Sequence, residues 1–220
     1  MKENANKNAN SLNLKHYSPI ILTTVNNIKR CLNEQFKEYR SLICEDDYDD
    51  GFSPLSGSEP DFNPNVWNDV DSIRDNHNCY AYAINKIAKR RLDKPQPGYA
   101  SGHNHISINE YDCITFFDRI KKDVPSLYLI GFKQPCQAGY HKAFFTIAPG
   151  DDYHFYRQDK SGYWSHKPGR TDVIDVDSDG NKIKNPLLAA RRSMSFEYSV
   201  PCFYFCVKSS LASLHSSSLS

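Results

Sequence analysis

One cysteine stands where it could perform thiol chemistry. Cys79 opens the segment NCYAYAINKIAKRRL, which predicts a helix with Asn78 as its N-cap. The N-terminal end of a helix carries partial positive charge and unpaired backbone N–H groups, which favour a thiolate and can donate to an oxyanion. The position therefore predicts Cys79 as a nucleophile, with a small buried hydrophobic residue as the alternative.

Two histidines follow on a predicted hairpin. The segment HKAFFTIAPGDDYHFYRQD has His141 at the start of one strand and His154 on the returning strand, with the turn near 149–152. One imidazole could take the proton of the thiol while the other orients it. The pair therefore favours a catalytic cysteine over a structural one.

The order of these elements resembles that of the papain-like thiol hydrolases, closest to the NlpC-type and CHAP amidases and peptidases. NCYAYAI is similar to the start of their nucleophile helix, SLYLIGFK to the strand before the histidine, HKAFFTI to the histidine strand, and YHFY to the strand of the third residue. The resemblance covers roughly residues 75–160. It implies Cys79 as nucleophile, His141 as general base and His154 as orienting residue.

The chain departs from that family around the nucleophile. Asn78 precedes Cys79 in place of the usual Asp, and the upstream Gln is missing, which leaves the oxyanion to backbone N–H groups. The implied activity is a peptidase or amidase that forms a thioester on Cys79. Deamidation, isopeptide cleavage and transglutaminase-type acyl transfer use the same constellation.

A second resemblance assigns the histidines differently. DYHFYRQDKSGYWSHKPG, together with an NCYxYA helix, resembles segments of uncharacterised microbial proteins. This resemblance implies His154 as the base and Asp159 as its orienting residue. His141 or His166 would then support the site or bind substrate, so the choice between the two bases stays open.

The same segment predicts substrate contacts. A guanidinium can hold a carboxylate through two hydrogen bonds, so Arg157 beside His154 is a predicted substrate-binding residue, as is Trp164. The alternative function is a non-catalytic protein-binding module on the same scaffold, in which Cys79 is buried and unreactive. In that case a group of aromatic side chains would form the recognition surface: Tyr153, Phe155, Tyr156, Tyr163 and Trp164.

Two patterns resemble metal sites, but neither contains the full set of ligands that its motif requires. DVDSDGNKIKNP alternates aspartates before Gly180 as a calcium loop does, but Pro186 stands where a bidentate Glu is required, so an Asp-Gly hairpin turn is favoured. His103 and His105 could begin the site of a zinc hydrolase, yet the cysteine and histidine spacings match no closed zinc pattern. We predict no metal and no cofactor.

Composition limits the classes of partner. The chain has 220 residues, 39% of them hydrophobic, and a net charge of +1. It lacks both the charge of a nucleic-acid face and an apolar stretch of transmembrane length. We expect a protein or peptide-like substrate, no nucleic acid and no membrane span, with the oligomeric state left open.

The cysteines and the N-terminal segment suggest a compartment. Seven cysteines, an odd number spread widely, do not resemble a disulfide framework, and residues 1–17 contain no apolar stretch typical of a Sec signal. The expected location is the cytoplasm at synthesis, with export by a route without a Sec signal left open. The composition would suit a secreted bacterial effector.

The order of the predicted helices and strands that position these residues indicates an α+β fold. We expect N-terminal helices packed on an antiparallel sheet, and the resemblance implies the papain-like arrangement of the NlpC and CHAP families. A mobile leader at 1–17 precedes a single domain at 18–207, and a Ser-rich tail covers 208–220. The domain consists of an amphipathic helix at 18–44, an acidic loop at 45–70 and a core at 75–207. Two core helices are predicted at 78–92 and 106–122, and strands at 126–133, 141–148, 152–159, 163–169, 171–177 and 203–208.

Overall fold

The computed structural model describes residues 41–87 and 95–210, and its architecture is α+β as predicted. The predicted leader, the amphipathic helix up to residue 40 and the tail from 211 lie outside the described residues. The helices are α1 (Pro64–Asn68), α2 (Asp71–Asn76), α3 (Cys79–Ala83) and α4 (Cys113–Asp123). The strands are β1 (Tyr128–Ile130), β2 (Tyr140–Ala148), β3 (Asp152–Gln158), β4 (Trp164–His166) and β5 (Val200–Lys208).

The strands form one antiparallel sheet in the order β1-β5-β2-β3-β4. The sheet is not a simple meander, because β5 at the end of the chain inserts between β1 and β2. The antiparallel sheet and five of the predicted strands are confirmed. The strand predicted at 171–177 is wrong: this segment makes isolated bridges, with Ile174 opposite His166 and Val176 opposite Lys182.

The central strands are buried on both faces. Side chains alternate along each strand, so Phe145 and Phe155 face a core shared with α3 and α4, while Phe144 and Tyr156 face a second core on the opposite side. Two covered faces explain why β2 and β3 are almost continuously buried. Any polar side chain on these strands must therefore find its partners inside the protein.

The helices begin where polar caps allow. The carboxylate of Asp112 accepts the backbone N–H groups of Ile114 and Thr115, both at 2.9 Å, so α4 begins at Cys113. The helix predicted at 78–92 is wrong in length: α3 has five residues, and Asn85 follows it with a φ of 51°. So short a helix has a weak axial field. Across 41–87 and 95–210, no helix is long and apolar enough to cross a bilayer.

The cysteines form disulfides, which makes the opposite prediction wrong. Cys113 at the start of α4 is bonded to Cys202, and Cys136 is bonded to Cys206, so two bridges tie distant segments to β5. Cys44 is also disulfide-bonded. Spacing along the chain could not reveal these pairs, because the partners are 89 and 70 residues apart and meet only when β5 enters the sheet.

The acidic segment predicted as a loop at 45–70 packs against the sheet. The hydroxyl of Ser53 donates to the Phe132 carbonyl at 2.6 Å, and the side-chain amide of Gln158 donates to the Ser53 carbonyl at 2.8 Å. A short 3₁₀ turn (Glu45–Asp47) and α1 interrupt the loop. These contacts make the segment part of the domain.

Candidate active site

Cys79 occupies the first position of α3, where its sulfur meets the backbone of β3. Asn78 caps the helix as predicted: its Oδ1 accepts the Ala81 N–H at 3.2 Å, and its Nδ2 donates to the Pro95 carbonyl at 2.6 Å. The thiol of Cys79 donates to the Tyr153 carbonyl oxygen, with Sγ 3.9 Å away. Cys79 is 5% exposed and is not part of a disulfide. The sulfur therefore lies beside the residue that precedes His154.

The packing of α3 on β3 positions the sulfur there. The Tyr80 ring packs on Phe155 with centroids 5.4 Å apart, which fixes the helix against the strand. On its other side, β3 pairs with β4 only at Tyr156–Gln158. The part of β3 that contains Tyr153 therefore presents an edge that β4 does not cover, and the sulfur reaches this edge.

His154 and His166 form a hydrogen-bonded pair whose protonation pattern follows from a backbone carbonyl. His166 Nε2 is 3.0 Å from the Val176 carbonyl oxygen, which can only accept, so Nε2 carries the proton and Nδ1 is left as an acceptor. His154 Nε2 lies 2.7 Å from that Nδ1 and must donate to it. In neutral rings this arrangement leaves a lone pair on His154 Nδ1, which has no hydrogen-bond partner among the described residues.

The desolvation of both rings supports these neutral forms. Burial lowers the pKa of His154 well below its ordinary value, and the neighbouring His166 lowers it further. Burial also lowers the pKa of His166 to about 4, although the Val176 carbonyl opposes the shift. Both imidazoles are therefore uncharged at neutral pH.

A sequence signal for this pair lies in the turn between the two histidines. The turn at 160–162 links β3 to β4, and the resulting register places Tyr156 opposite His166. His154 is two residues before Tyr156, so the two histidines are diagonal neighbours on one face of the hairpin. Counting outward from the turn would have predicted His166 as the partner of His154.

His141 lies at the other end of α3. Its Nε2 donates to the Ala83 carbonyl at 2.8 Å, and its Nδ1 lies 3.3 Å from the Ser209 hydroxyl. The ring is completely buried, and burial together with the charge of Arg157 lowers its pKa to about 3. Both nitrogens of His141 are therefore occupied by hydrogen bonds within the protein.

Arg157 and Asp159 belong to a buried network. The guanidinium pairs with Asp159 at 3.0 Å and donates to the Tyr82 hydroxyl at 2.8 Å and to Asn85 Oδ1 at 3.0 Å. Burial raises the pKa of Asp159 to about 6 against the opposing charge of Arg157. Arg157 is 1% exposed, so it cannot make the predicted contact with a substrate. The side chain hydrogen-bonded to His154 is that of His166, in place of the predicted Asp159.

The aromatic residues predicted as a recognition surface are mostly core residues. Trp164 is 0% exposed and packs near Tyr204, with ring centroids 5.8 Å apart, so it cannot contact a substrate. Tyr163 is partly exposed, at the edge of the Phe52 ring. The predicted surface is wrong because both faces of the sheet are covered. Its other members are all buried: Tyr153, Phe155 and Tyr156.

Three side chains near the thiol were not predicted. The Tyr198 hydroxyl donates to Asp152 Oδ2 at 2.9 Å, and its ring packs on His154 at a centroid distance of 5.2 Å. Tyr111 packs on Tyr153 at 5.9 Å. Burial raises the pKa of Tyr111 and Tyr198, and the negative charge of Asp152 adds to both shifts. The tyrosines come from segments far apart in the chain that carry no motif, so no sequence signal marked them.

The aspartates that resembled a calcium loop close a turn. The carboxylate of Asp177 accepts the backbone N–H groups of Asp179 and Asn181 at 3.0 and 2.9 Å, and Gly180 has a φ of 82°. The predicted Asp-Gly turn is confirmed. Within the described ranges, no group of three or more His, Cys, Asp or Glu side chains could hold a metal ion.

Comparison with known proteins identifies a relative of this chain. The chain is 36% identical over 130 residues to a protein named insoluble matrix shell protein 1 from Ruditapes philippinarum. The match covers 59% of this chain and 80% of that protein. No protein-family model matches the chain, and no solved structure matches it significantly.

Proposed function

We propose that this chain, which belongs to the family of insoluble matrix shell protein 1, is an exported cysteine-dependent hydrolase. Cys79 is the nucleophile, His154 the general base and His166 the residue that orients it. The hydrogen-bond chain from the Val176 carbonyl through His166 to His154 carries this proposal. This hydrogen-bond chain leaves Nδ1 of His154 as a proton acceptor. His154 follows Tyr153, and the Tyr153 carbonyl accepts the hydrogen bond of the Cys79 thiol.

The chemistry proceeds through a thioester. The Cys79 proton passes to His154 Nδ1 around the edge of β3 that β4 does not cover, because the His154 ring lies with Tyr156 on the face of the sheet opposite α3. As the proton leaves, Sγ attacks the carbonyl carbon of an amide, and the backbone N–H of Cys79 donates to the oxyanion. The carbon–nitrogen bond then breaks, and His154 returns the proton to the leaving amine. Water attacks the thioester with His154 again as base, which releases the acid and restores the thiol.

The order of the elements supports a papain-like arrangement for this site. In that family a cysteine on a helix is followed by a histidine on a strand and by a polar residue on the next strand. In this assignment α3 carries the cysteine, β3 the histidine and β4 the third residue. The base therefore comes from the strand that α3 packs against.

The disulfides support export. Disulfides form and persist in oxidising compartments, and the relative is named as a matrix protein of the shell. Protein isolated from its source in the presence of an alkylating agent, without reduction, should keep Cys113 and Cys202 unlabelled. Labelling of both would contradict export to an oxidising compartment.

Peptide turnover tests the enzymatic proposal. The purified oxidised chain is incubated with a mixed peptide library, and mass spectrometry looks for new peptide termini, a side-chain amide converted to acid, or joined peptides. We expect one of these products together with an acyl adduct on Cys79. Cys79→Ala should abolish both, and a product that persists in this variant would refute the nucleophile assignment.

A second candidate function is a structural component of an insoluble extracellular matrix. The name of the relative and the bridged sheet favour it. Sedimentation of the full chain at increasing concentration tests this function, with Cys79→Ala as the matched variant. Assembly that survives the substitution supports the structural function, whereas a chain that stays monomeric throughout contradicts it.

A further inference from the structure

A carboxylate and a phenol form a polar pair at the end of β3 whose backbone the thiol contacts. Asp152 precedes Tyr153, whose carbonyl lies 3.9 Å from Cys79 Sγ, and its Oδ2 accepts the Tyr198 hydroxyl at 2.9 Å. Both side chains are half-buried, so the pair reaches the surface where the more deeply buried sulfur does not. The Tyr198 ring packs on His154, which links the pair to the proposed base.

The charge of Asp152 is not neutralised locally. Among residues 41–87 and 95–210, no lysine or arginine forms an ion pair with it. Arg191 is near Tyr198, but its guanidinium donates to the Tyr198, Pro186 and Leu187 carbonyls. A half-buried carboxylate beside aromatic rings attracts a cation more strongly than an exposed one, because fewer water molecules screen it.

The hydrogen bond from Tyr198 selects the kind of cation. Arginine prefers a carboxylate whose two oxygens are both open, because its guanidinium donates two parallel hydrogen bonds. Here Oδ2 already accepts the phenol, which leaves Oδ1 as the oxygen for a ligand. A compact ammonium group fits one oxygen and an aromatic face better than a planar fork does.

We infer that Asp152 and Tyr198 form a subsite for a primary ammonium group, so that the preferred substrate is a peptide with a lysine-like side chain next to the carbonyl attacked by Cys79. The inference rests on the proposed role of Cys79 as the reacting group. The carboxylate contacts the ammonium, and the Tyr198 ring covers the methylene groups that carry it.

Charged thiol reagents test this subsite without a known substrate. The folded, oxidised chain is treated with 2-aminoethyl, 2-(trimethylammonio)ethyl and 2-sulfonatoethyl methanethiosulfonate, and mass spectrometry follows the modification of Cys79. Each rate is divided by that of the same reagent with 2-mercaptoethanol. We expect the aminoethyl reagent to exceed the sulfonate by about tenfold or more, since the Asp152 carboxylate attracts the cationic reagent and repels the anionic one. It should also exceed the trimethylammonium reagent, which cannot donate a hydrogen bond.

Two variants and a matched control complete the design. Asp152→Asn should remove most of the preference for the aminoethyl reagent, and Tyr198→Phe should shift selectivity from ammonium towards a guanidinium-bearing reagent. Asp151→Asn removes the same charge from the exposed neighbouring residue and should leave the preference unchanged. Equal effects of the two asparagine substitutions, equal normalised rates for all three reagents, or no modification of Cys79 would overturn the inference.

This test separates the subsite from the proposed catalysis. The preference among the reagents depends on charge near the sulfur, whereas the absolute rate depends on deprotonation by His154. His154→Gln should therefore slow all three reagents and preserve their ratio. Slowing without loss of the ratio supports both proposals, and a ratio of one with normal dependence on His154 refutes the subsite alone.

Discussion

Each end of α3 lies beside a strand that carries a buried histidine, and the two imidazole rings are hydrogen-bonded differently. At the Ala83 end, both nitrogens of His141 are occupied, next to the ion pair of Arg157 and Asp159. At the Cys79 end, one nitrogen of His154 donates to His166 and the other has no partner among the described residues. The first end is closed by internal hydrogen bonds, whereas the second retains a proton acceptor.

This difference shows which property identifies a candidate base. Both rings are buried and both have a lowered pKa, so neither burial nor the pKa distinguishes them. The number of occupied ring nitrogens does, because a base needs a lone pair that no other donor uses. The following predictions test this contrast between the two ends.

The largest effect is expected from exchanging the histidines one at a time. His154→Gln should lower kcat/KM for a peptide turned over by the chain about 10²- to 10⁴-fold, because general base catalysis is lost. His141→Gln is the matched control at the closed end, and it should lower the free energy of unfolding while the folded fraction stays active. Steady-state kinetics and urea unfolding measure the two effects, and the reverse result would assign the base to His141.

The ion pair at the closed end should be the most sensitive to loss of one partner. Arg157→Met leaves the buried Asp159 carboxylate without its cation and should lower the free energy of unfolding by about 3–5 kcal/mol. Replacing both residues, as Arg157→Met with Asp159→Leu, should recover much of that loss. Urea unfolding of the three proteins tests this, and a loss below about 1 kcal/mol would contradict a structural role for the pair.

Acid should destabilise the fold through both ends. The folded rings of His141 and His166 have pKa values of about 3 and 4, whereas an unfolded histidine titrates near 6.5. Above pH 6.5 both states are neutral. As the pH falls below 6.5, the unfolded chain binds protons that the folded chain does not, so stability falls by up to about 1.4 kcal/mol per pH unit for each ring.

The difference between variants isolates one ring. Asp159 acts in the opposite direction, because its raised folded pKa of about 6 makes the folded state bind the proton first. His141→Gln keeps Asp159, so subtracting its stability profile from that of the unsubstituted chain leaves the His141 contribution. Thermal unfolding between pH 4 and 7 should show a shallower acid slope for the variant, and parallel profiles would contradict a neutral buried His141.

The smallest effect concerns the cap at the Cys79 end. Asn78→Ala removes the acceptor for the Ala81 N–H and the donor to Pro95, and it should lower stability by about 1 kcal/mol. Asn78→Ser restores the cap acceptor without the contact to Pro95 and should fall between the two. Thermal melts of the three proteins measure this order. A stability for the serine variant below that of the alanine variant would argue against a capping role.

The amino-acid sequence by itself determined the local structure of this protein. Alternating apolar residues and the turns at 149–151 and 160–162 specify β2, β3 and β4, and Asn78 specifies the start of α3, because these features depend only on neighbours along the chain. The position of Cys79 at that start was predicted for the same reason. The length of α3 was not predicted, because its end depends on how Asn85 meets Arg157.

Only the tertiary structure decided which of these residues meet. The insertion of β5 between β1 and β2 brought Cys202 and Cys206 to their disulfide partners, which are 89 and 70 residues away in the chain. The spacing of the cysteines along the chain had predicted no such disulfides. The same closure buried Arg157 and Trp164. It also packed the Tyr198 ring against His154 and placed the Tyr198 hydroxyl within hydrogen-bond distance of Asp152. Contacts between remote segments depend on the packing of the whole sheet, and no local pattern in the chain encodes them.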